Sequence, residues 1–248
     1  MSGHSKWSKI KRKKGAADHK RSKIFSRIIK EITVAVKEGK SGDPDMNPRL
    51  RLAITNAKGA NMPKDNIDRA IKKASESGGA DLMELTYEGY TPGGIAVFVE
   101  CTTDNQNRTI SNVRAYFNKN GGNLATNGSV DFLFDRKGVF VVPQENLDED
   151  EFTLEVIDAG AEDVELDDDF FTITTAVGDF GNMLKKLESL DITPQSAELQ
   201  RIPLSTSSVD LETAKKALRL IELIEDDEDV NMVFHNLELT DELMGELD

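Results

Sequence analysis

The feature that most limits the fold of this chain is a change of hydrophobic period near residue 86. Before it, apolar residues recur every three to four positions; after it they alternate. A helical stripe requires the first pattern and a half-buried strand the second, so the chain must join a helical region to a mixed one. The spacing predicts three helices first. One covers 18–38, with Ile24, Phe25, Ile28, Ile29, Ile32 and Val36 on one stripe and Gly39 as the stop. The next opens at Asn47-Pro48, an N-cap followed by proline at the first helical position, and buries Leu50, Ala53, Ile54 and Ala57 before Gly59. The third opens at Pro63 with Asp65 and Asp68 in its first turn, buries Ile67, Ala70, Ile71 and Ala74, and halts at Gly78-Gly79.

Beyond residue 86, Thr91-Pro92-Gly93-Gly94 reads as a type II turn leading into a strand with Ile95, Val97, Val99 and Cys101 in phase. A helix at 107–119 and a strand carrying Val130, Phe132 and Phe134 complete a β-α-β unit. A strand at 138–143, a helix at 148–159, strands at 162–166 and 170–175, a helix at 179–190 and a strand at 196–202 follow. That order, β-α-β-β-α-β, is the ferredoxin-like pattern. A further strand at 202–204, a helix at 211–225 and a strand at 230–236 come last. The pieces outside the complete unit also sum to β-α-β…β-α-β. The expected architecture is α+β and multidomain. A basic helical domain (1–80) precedes a discontinuous ferredoxin-like domain (81–136 and 204–248), which holds a second ferredoxin-like domain (137–203) as an insertion.

Charge divides along the same line. The net charge of −14 suggests an acidic protein, yet residues 1–80 hold 20 Lys+Arg against 8 Asp+Glu and the rest hold 11 against 37. One polyanion-facing end is the reading such asymmetry supports. The arm carries Lys6, Lys9, Lys11, Arg12, Lys13, Lys14, Lys20, Arg21 and Lys23, with Asp18 as its one acid. Self-repulsion is expected to keep it mobile until an anion neutralises it. Each cation laid on a phosphate releases counterions and makes binding salt-dependent. Trp7 either stacks on an unpaired base or staples the arm to the helices behind it. Arg27, Lys30, Arg49, Arg51, Lys58, Lys64, Arg69, Lys72 and Lys73 extend the basic character over the outer helix faces. The candidate nucleic-acid contacts are the arm, including Lys6 and Trp7, and these helix cations other than Lys30.

No phosphate-cradling loop, dinucleotide fingerprint, nucleophile elbow or metal-ligand spacing is present, and His4, His19 and His235 are scattered. No catalysis, cofactor or metal is therefore expected. Cys101, the single cysteine, fits a reducing compartment and sits in the apolar phase of a strand. With no secretory signal and no apolar run of membrane-spanning length, a cytoplasmic location without membrane contact is expected. The acidic runs at 148–151, 163–169 and 225–229 read as solvated helix starts and turns. The alternatives are a metal-dependent nuclease site built from them, or a protein-only interaction module whose basic end binds an acidic partner.

Several stretches resemble the YebC/PmpR family: residues 1–7 (MSGHSKW), 23–29 (KIFSRII), 47–51 (NPRLR), 60–67 (ANMPKDNI), 87–94 (YEGYTPGG), 101–108 (CTTDNQNR), 121–124 (GGNL) and 235–238 (HNLE). The resemblance spans nearly the whole chain and is strongest over 1–135. It implies three domains, one helical and two α+β, with no catalysis and no cofactor. It also implies a regulator of gene expression. Members are described as DNA-binding transcription regulators, others as ribosome-associated factors that help translation through proline runs. The partner expected from residues and resemblance together is nucleic acid, DNA or ribosomal RNA, with the ribosome as a candidate. The sequence leaves the oligomeric state open.

Overall fold

In the computed structural model, which describes residues 18–76, 81–145, 147–167 and 169–245, helices stand where the 3.6-residue stripes lie. They are α1 (Asp18–Gly39), α2 (Pro48–Gly59) and α3 (Lys64–Ser75). Asn47 shows why the first two meet as they do. Its side-chain oxygen accepts the Leu50 N–H at 3.1 Å, capping α2, while its Nδ2 donates to the carbonyls of Ala35 (2.8 Å) and Ser41 (3.1 Å). One buried amide thus caps the second helix and anchors it to the end of the first. Ile28, Ile32, Val36, Leu50, Ala57, Ile67 and Ala70 form the bundle core.

The chain divides into two compact units. One is described over residues 18–76 and 136–200, the other over 81–135 and 201–245. The first contains the helical bundle and the elements β4 (Phe134–Pro143), α5 (Glu149–Asp158), β5 (Ala161–Asp167), β6 (Phe170–Ala176), α6 (Phe180–Ser189) and β7 (Ser196–Pro203). Their sheet has the order β5-β6-β4-β7. The first and third strands of the β-α-β-β-α-β unit therefore lie at its centre, as in a ferredoxin-like fold. Phe140, Phe152, Phe171, Ile173, Met183 and Leu187 fill the space between sheet and helices.

The other unit is built from β1 (Met83–Tyr90), β2 (Ala96–Thr103), α4 (Gln106–Lys119), β3 (Asn123–Ala125), α7 (Leu211–Glu225), β8 (Val230–His235) and the short α8 (Asp241–Gly245). Its sheet order is β3-β1-β2-β8, with antiparallel neighbours throughout. Val97, Val99, Val113, Phe117, Leu218 and Ile221 pack between this sheet and α4 and α7. The β1–β2 hairpin turns at Gly93, whose φ of 83° and ψ of 2° fit the third position of a type II turn; the Gly94 N–H donates to the Thr91 carbonyl at 3.1 Å.

Both sheets place two central strands between two edge strands, and the expected mixed fold is found. The connection order of the second differs from expectation. Its described elements run β-β-α-β and then, after the insertion, α-β. The strand expected at 130–134 is instead a 3₁₀ turn at Asp131–Leu133 with Phe132 68% exposed, and the extra strand is β1. Glu88 supplies the reason. Its buried carboxylate accepts backbone N–H groups from Gly128, Val130 and Asp131 at 2.6, 2.6 and 3.1 Å, so the last two are not donated to a ladder. The strand expected from residue 138 starts at Phe134, and the separate strand expected at 202–204 is the end of β7.

Candidate nucleic-acid interface

Of the residues expected to meet nucleic acid, Lys6, Trp7, Lys9, Lys11, Arg12, Lys13 and Lys14 lie outside the described residues. Lys20 belongs to α1, but its side chain also lies outside the described atoms. The others fall into two groups, which only the structure separates.

The first group is exposed and uncommitted. Lys58 ends α2, Lys64 opens α3, and Arg69, Lys72 and Lys73 occupy α3 positions away from its buried Ile67, Ala70 and Ala74. None of these five forms an ion pair with a described residue. Asp65 and Asp68 share the exposed side of α3 with Lys64 and Arg69, so its first turns are of mixed charge and its last turn, with Lys72 and Lys73, is basic. Arg21 is also exposed, with its guanidinium 5.5 Å from the centre of the Phe25 ring. Lys23, half-buried in α1 and engaged in an interaction of its own, is not among them.

The second group is engaged by other groups of the protein, Arg27 in a half-buried pair and Arg49 and Arg51 at the surface. Arg27 pairs with Glu198 on β7 and lies 3.3 Å from Glu31, one turn along its own helix. Burial opposes the charged form, but Glu198 and then Glu31 outweigh it and raise the Arg27 pKa above the usual guanidinium value. Arg49 pairs with Glu38. Arg51 donates to the carbonyls of Pro44 and Asp45 at 3.1 and 2.9 Å. Arg27 in particular joins the bundle to the inserted domain, a role that its place on a basic helix did not reveal.

That junction is built, not incidental. Asn56, buried on α2, donates to the Ala197 carbonyl at 3.0 Å and accepts the Ala197 N–H at 2.8 Å, behaving as an extra strand residue alongside β7. Leu52 packs against the core of the inserted domain. Gly59 closes the contact: a Cβ there would sit 2.3 Å from the Pro194 carbonyl and 2.4 Å from that of Gln195. The sequence offered one signal for this seam. Asn56 is a poor helix former set among Ala53, Ile54 and Ala57, a position where an amide persists when it has a specific hydrogen-bond partner.

The acidic run at the end of α7 is also committed. Asp229 accepts from the Arg108 guanidinium at 2.8 and 3.0 Å and from the Thr109 hydroxyl at 2.9 Å. Asp227 accepts from Asn112 (3.0 Å) and the Tyr116 hydroxyl (2.9 Å) and also takes the Asp229 N–H at 2.8 Å. Burial, then the bond to Asp227, pushes the Tyr116 pKa up to about 12. Bonds to Asp229, then to Asp104, raise that of Arg108. The expectation that 225–229 is a solvated turn is therefore corrected: Asp227 and Asp229 are buried and bind α4 to the start of β8. The run at 148–151 fits the solvated reading, with Asp148 capping α5 through the Glu151 N–H at 3.0 Å. Among the described residues, no group of three or more His, Cys, Asp or Glu side chains is placed to hold a metal ion. Nor, among them, is any helix long and apolar enough to cross a membrane.

Comparison with known proteins adds a second line of information. Residues 5–77 match the model of the TACO1/YebC protein N-terminal domain, and residues 82–237 that of the TACO1/YebC second and third domain. A Brachyspira hyodysenteriae protein named a probable transcriptional regulatory protein is 50% identical over 247 residues, covering 99% of this chain and 100% of the relative. One of the same name from Amoebophilus asiaticus is 52% identical over 240 residues, covering 96% of this chain and 98% of the relative. A crystal structure of a conserved hypothetical protein from Aquifex aeolicus is 44% identical. It superposes with a TM-score of 0.82, covering 92% of this chain and 94% of that one.

Proposed function

The chain belongs to the TACO1/YebC family, and from that premise we propose that it is a non-enzymatic, nucleic-acid-binding regulator of gene expression. Its basic arm and the outer face of its helical bundle grip phosphates. The observation that carries this reading is the set of five exposed cations, Lys58, Lys64, Arg69, Lys72 and Lys73, that form no ion pair with a described residue, on a bundle whose Arg27, Arg49 and Arg51 are engaged by other groups of the protein. Uncommitted cations of one sign are the footprint of polyanion binding. The names of the relatives, probable transcriptional regulatory proteins, agree with a regulator. The buried pairing of Asp227 and Asp229 counts against a nuclease centred on that run.

Within this class the geometry favours RNA, free or in the ribosome, over sequence-specific duplex DNA. A helix that reads the major groove presents its N-terminal residues to base edges. Here α2 is packed on β7 through Leu52, Asn56 and Gly59, and the first turns of α3 expose Asp65 and Asp68 interleaved with Lys64 and Arg69, a mixed-charge end rather than the uniformly basic one that would seat a recognition helix between the two phosphate strands of a groove. RNA presents single strands and irregular grooves that accept basic arms and stacked aromatics.

Anisotropy titrations of the full chain against a promoter-length duplex, a scrambled duplex and a structured RNA, each over a salt series, test both levels. The expected result is tighter binding to RNA, with a steep loss as salt rises, and equal affinity for the two duplexes. Reversing Lys11, Arg12, Lys13 and Lys14 to glutamate should weaken all binding. Unchanged affinity at physiological salt would remove the reading. A marked preference for one duplex would restore the DNA-regulator alternative.

A further inference from the structure

Beside the seam that joins the bundle to the inserted domain lies an open cleft of about 800 Å³, within the roughly 300–1,000 Å³ range of small-ligand sites. Its walls come from the end of α2, the residues after β4, the start of β6 and the segment before β7. These walls are held in place before any ligand arrives. The Gln144 N–H donates to the Asp169 carbonyl at 2.8 Å, and the Gln195 N–H to that of Val141 at 2.7 Å. The Asn56–Ala197 pair and the close approach of Gly59 fix the bundle against β7. A site this constrained loses little ordering entropy on binding.

The side chains lining it are unusual in being idle. The amides of Asn61, Gln144 and Gln195 make no hydrogen bond with a described residue, and Lys58 and Asp169 form no ion pair with one. Asn61 also holds the left-handed backbone region, with a φ of 55°. Asparagine tolerates that region better than most residues, but it is uncommon outside functional or turn positions. Phe170, half-buried, adds a flat apolar face to the polar set.

Chemistry limits the ligand. Three primary amides offer donors and acceptors together, so they suit a planar group with both on its edge. One ammonium beside two carboxylates, Asp169 and Glu145, does not favour a free polyanion. A nucleobase meets these terms: the amides pair with its edge, Phe170 stacks on its face, and Lys58 reaches the phosphate that carries it. Asp169, an acceptor only, selects a base that presents adjacent N–H donors, and guanine does so on its Watson–Crick edge.

We propose that this cleft captures one unstacked guanine of a single-stranded RNA bound along the basic bundle, so that an otherwise electrostatic grip acquires base preference. The inference rests on the nucleic-acid reading above and goes beyond it in naming a site and a base.

The test uses the full chain and ten-nucleotide RNAs of uridine with one central guanosine, adenosine, cytidine or abasic residue, measured by anisotropy at fixed salt. A base-edge contact set is worth about 1–3 kcal/mol of discrimination, so the guanosine RNA is expected to bind about tenfold more tightly than the others. Gln195→Ala and Asp169→Asn, both at exposed positions, should each reduce that preference to under twofold while changing all-uridine binding by less than twofold. Asn61→Gly, which keeps the left-handed backbone and removes the amide, should do the same. Equal affinity for all four RNAs would overturn the cleft and leave phosphate binding standing. No binding to any RNA at low salt would overturn both readings.

Discussion

The outer face of the bundle and the junction of α7 with β8 both read in the sequence as runs of like charge, and they use that charge in opposite ways. On the bundle, Lys58, Lys64, Arg69, Lys72 and Lys73 point outward without an ion-pair partner among the described residues. At the junction, Asp227 and Asp229 lie buried among Arg108, Thr109, Asn112 and Tyr116. The difference teaches that a charge run signals an interface only when its members lack internal partners. An exposed cation keeps its hydration until an anion arrives, whereas a buried carboxylate must be satisfied at once. Stability should therefore depend on the junction and affinity on the face.

The largest expected effect is on the junction. Asp229→Ala removes the acceptor that Arg108 and Thr109 share. Breaking a buried pair costs about 3–5 kcal/mol. Arg108 is partly in solvent and keeps Asp104 at 2.8 Å, so the expected loss lies near the lower end, about 3 kcal/mol. Urea denaturation of the full chain measures it. A stable variant with weakened RNA binding would reverse the comparison, making the acids a working surface.

A smaller effect is expected at the seam between the bundle and the inserted domain. Asn56→Ala leaves the N–H and carbonyl of Ala197 without their side-chain partner. Each unsatisfied buried group costs about 1–3 kcal/mol, and partial access of water to the gap brings the expected total to about 2 kcal/mol. Gly59→Ala should destabilise comparably, because its Cβ meets backbone on β7's approach that cannot swing away. Should both variants melt like the parent, the seam is not a constraint, and the cleft beside it loses its rigid wall.

How much of this was legible in the sequence follows from the same contrast. The helices were readable because their signals are local: the stripe of Ile28, Ile32 and Val36, the Asn47 cap and the Gly39 stop all lie within a few residues. The β-α-β-β-α-β order of the inserted domain was readable for the same reason. Non-local pairings were not. Glu88 takes backbone groups 40 to 43 residues away and converts an apparent strand into a turn. Arg27 meets Glu198 across 171 residues, and nothing in the helix distinguishes it from Arg69. Periodicity reports which face is buried; it does not say which charged side chain finds a partner there.

On the outer face, single substitutions should move affinity and leave stability alone. Lys72→Ala or Lys73→Ala is expected to change unfolding free energy by less than about 0.5 kcal/mol, as surface changes usually do. If the residue meets a phosphate, the slope of log K against log salt should fall in magnitude by about 0.7 to 0.9, the contribution of one contact. Anisotropy at four salt concentrations gives that slope. An unchanged slope for both variants would place the phosphate path elsewhere on the bundle.

The smallest effect sharpens the junction from the alkaline side. Tyr116 donates to Asp227, and burial together with that bond pushes its pKa up to about 12, against about 10 for an unfolded tyrosine. The folded state thus holds the phenolic proton more tightly than the unfolded state does. The resulting stabilisation is complete below pH 10 and is lost as pH rises toward 12. Tyr116 is only half-buried, so solvent screening limits the effect to less than about 1 kcal/mol. Urea midpoints at pH 9 and pH 11 should fall further for the parent than for Tyr116→Phe, which has no proton to lose. The phenylalanine variant should be slightly less stable at pH 9 because Asp227 keeps only its remaining donors, Asn112 and the Asp229 N–H. Equal pH dependence in the two proteins would mean that Tyr116 is not held by Asp227, and the acids would then have more freedom than the junction's geometry allows them.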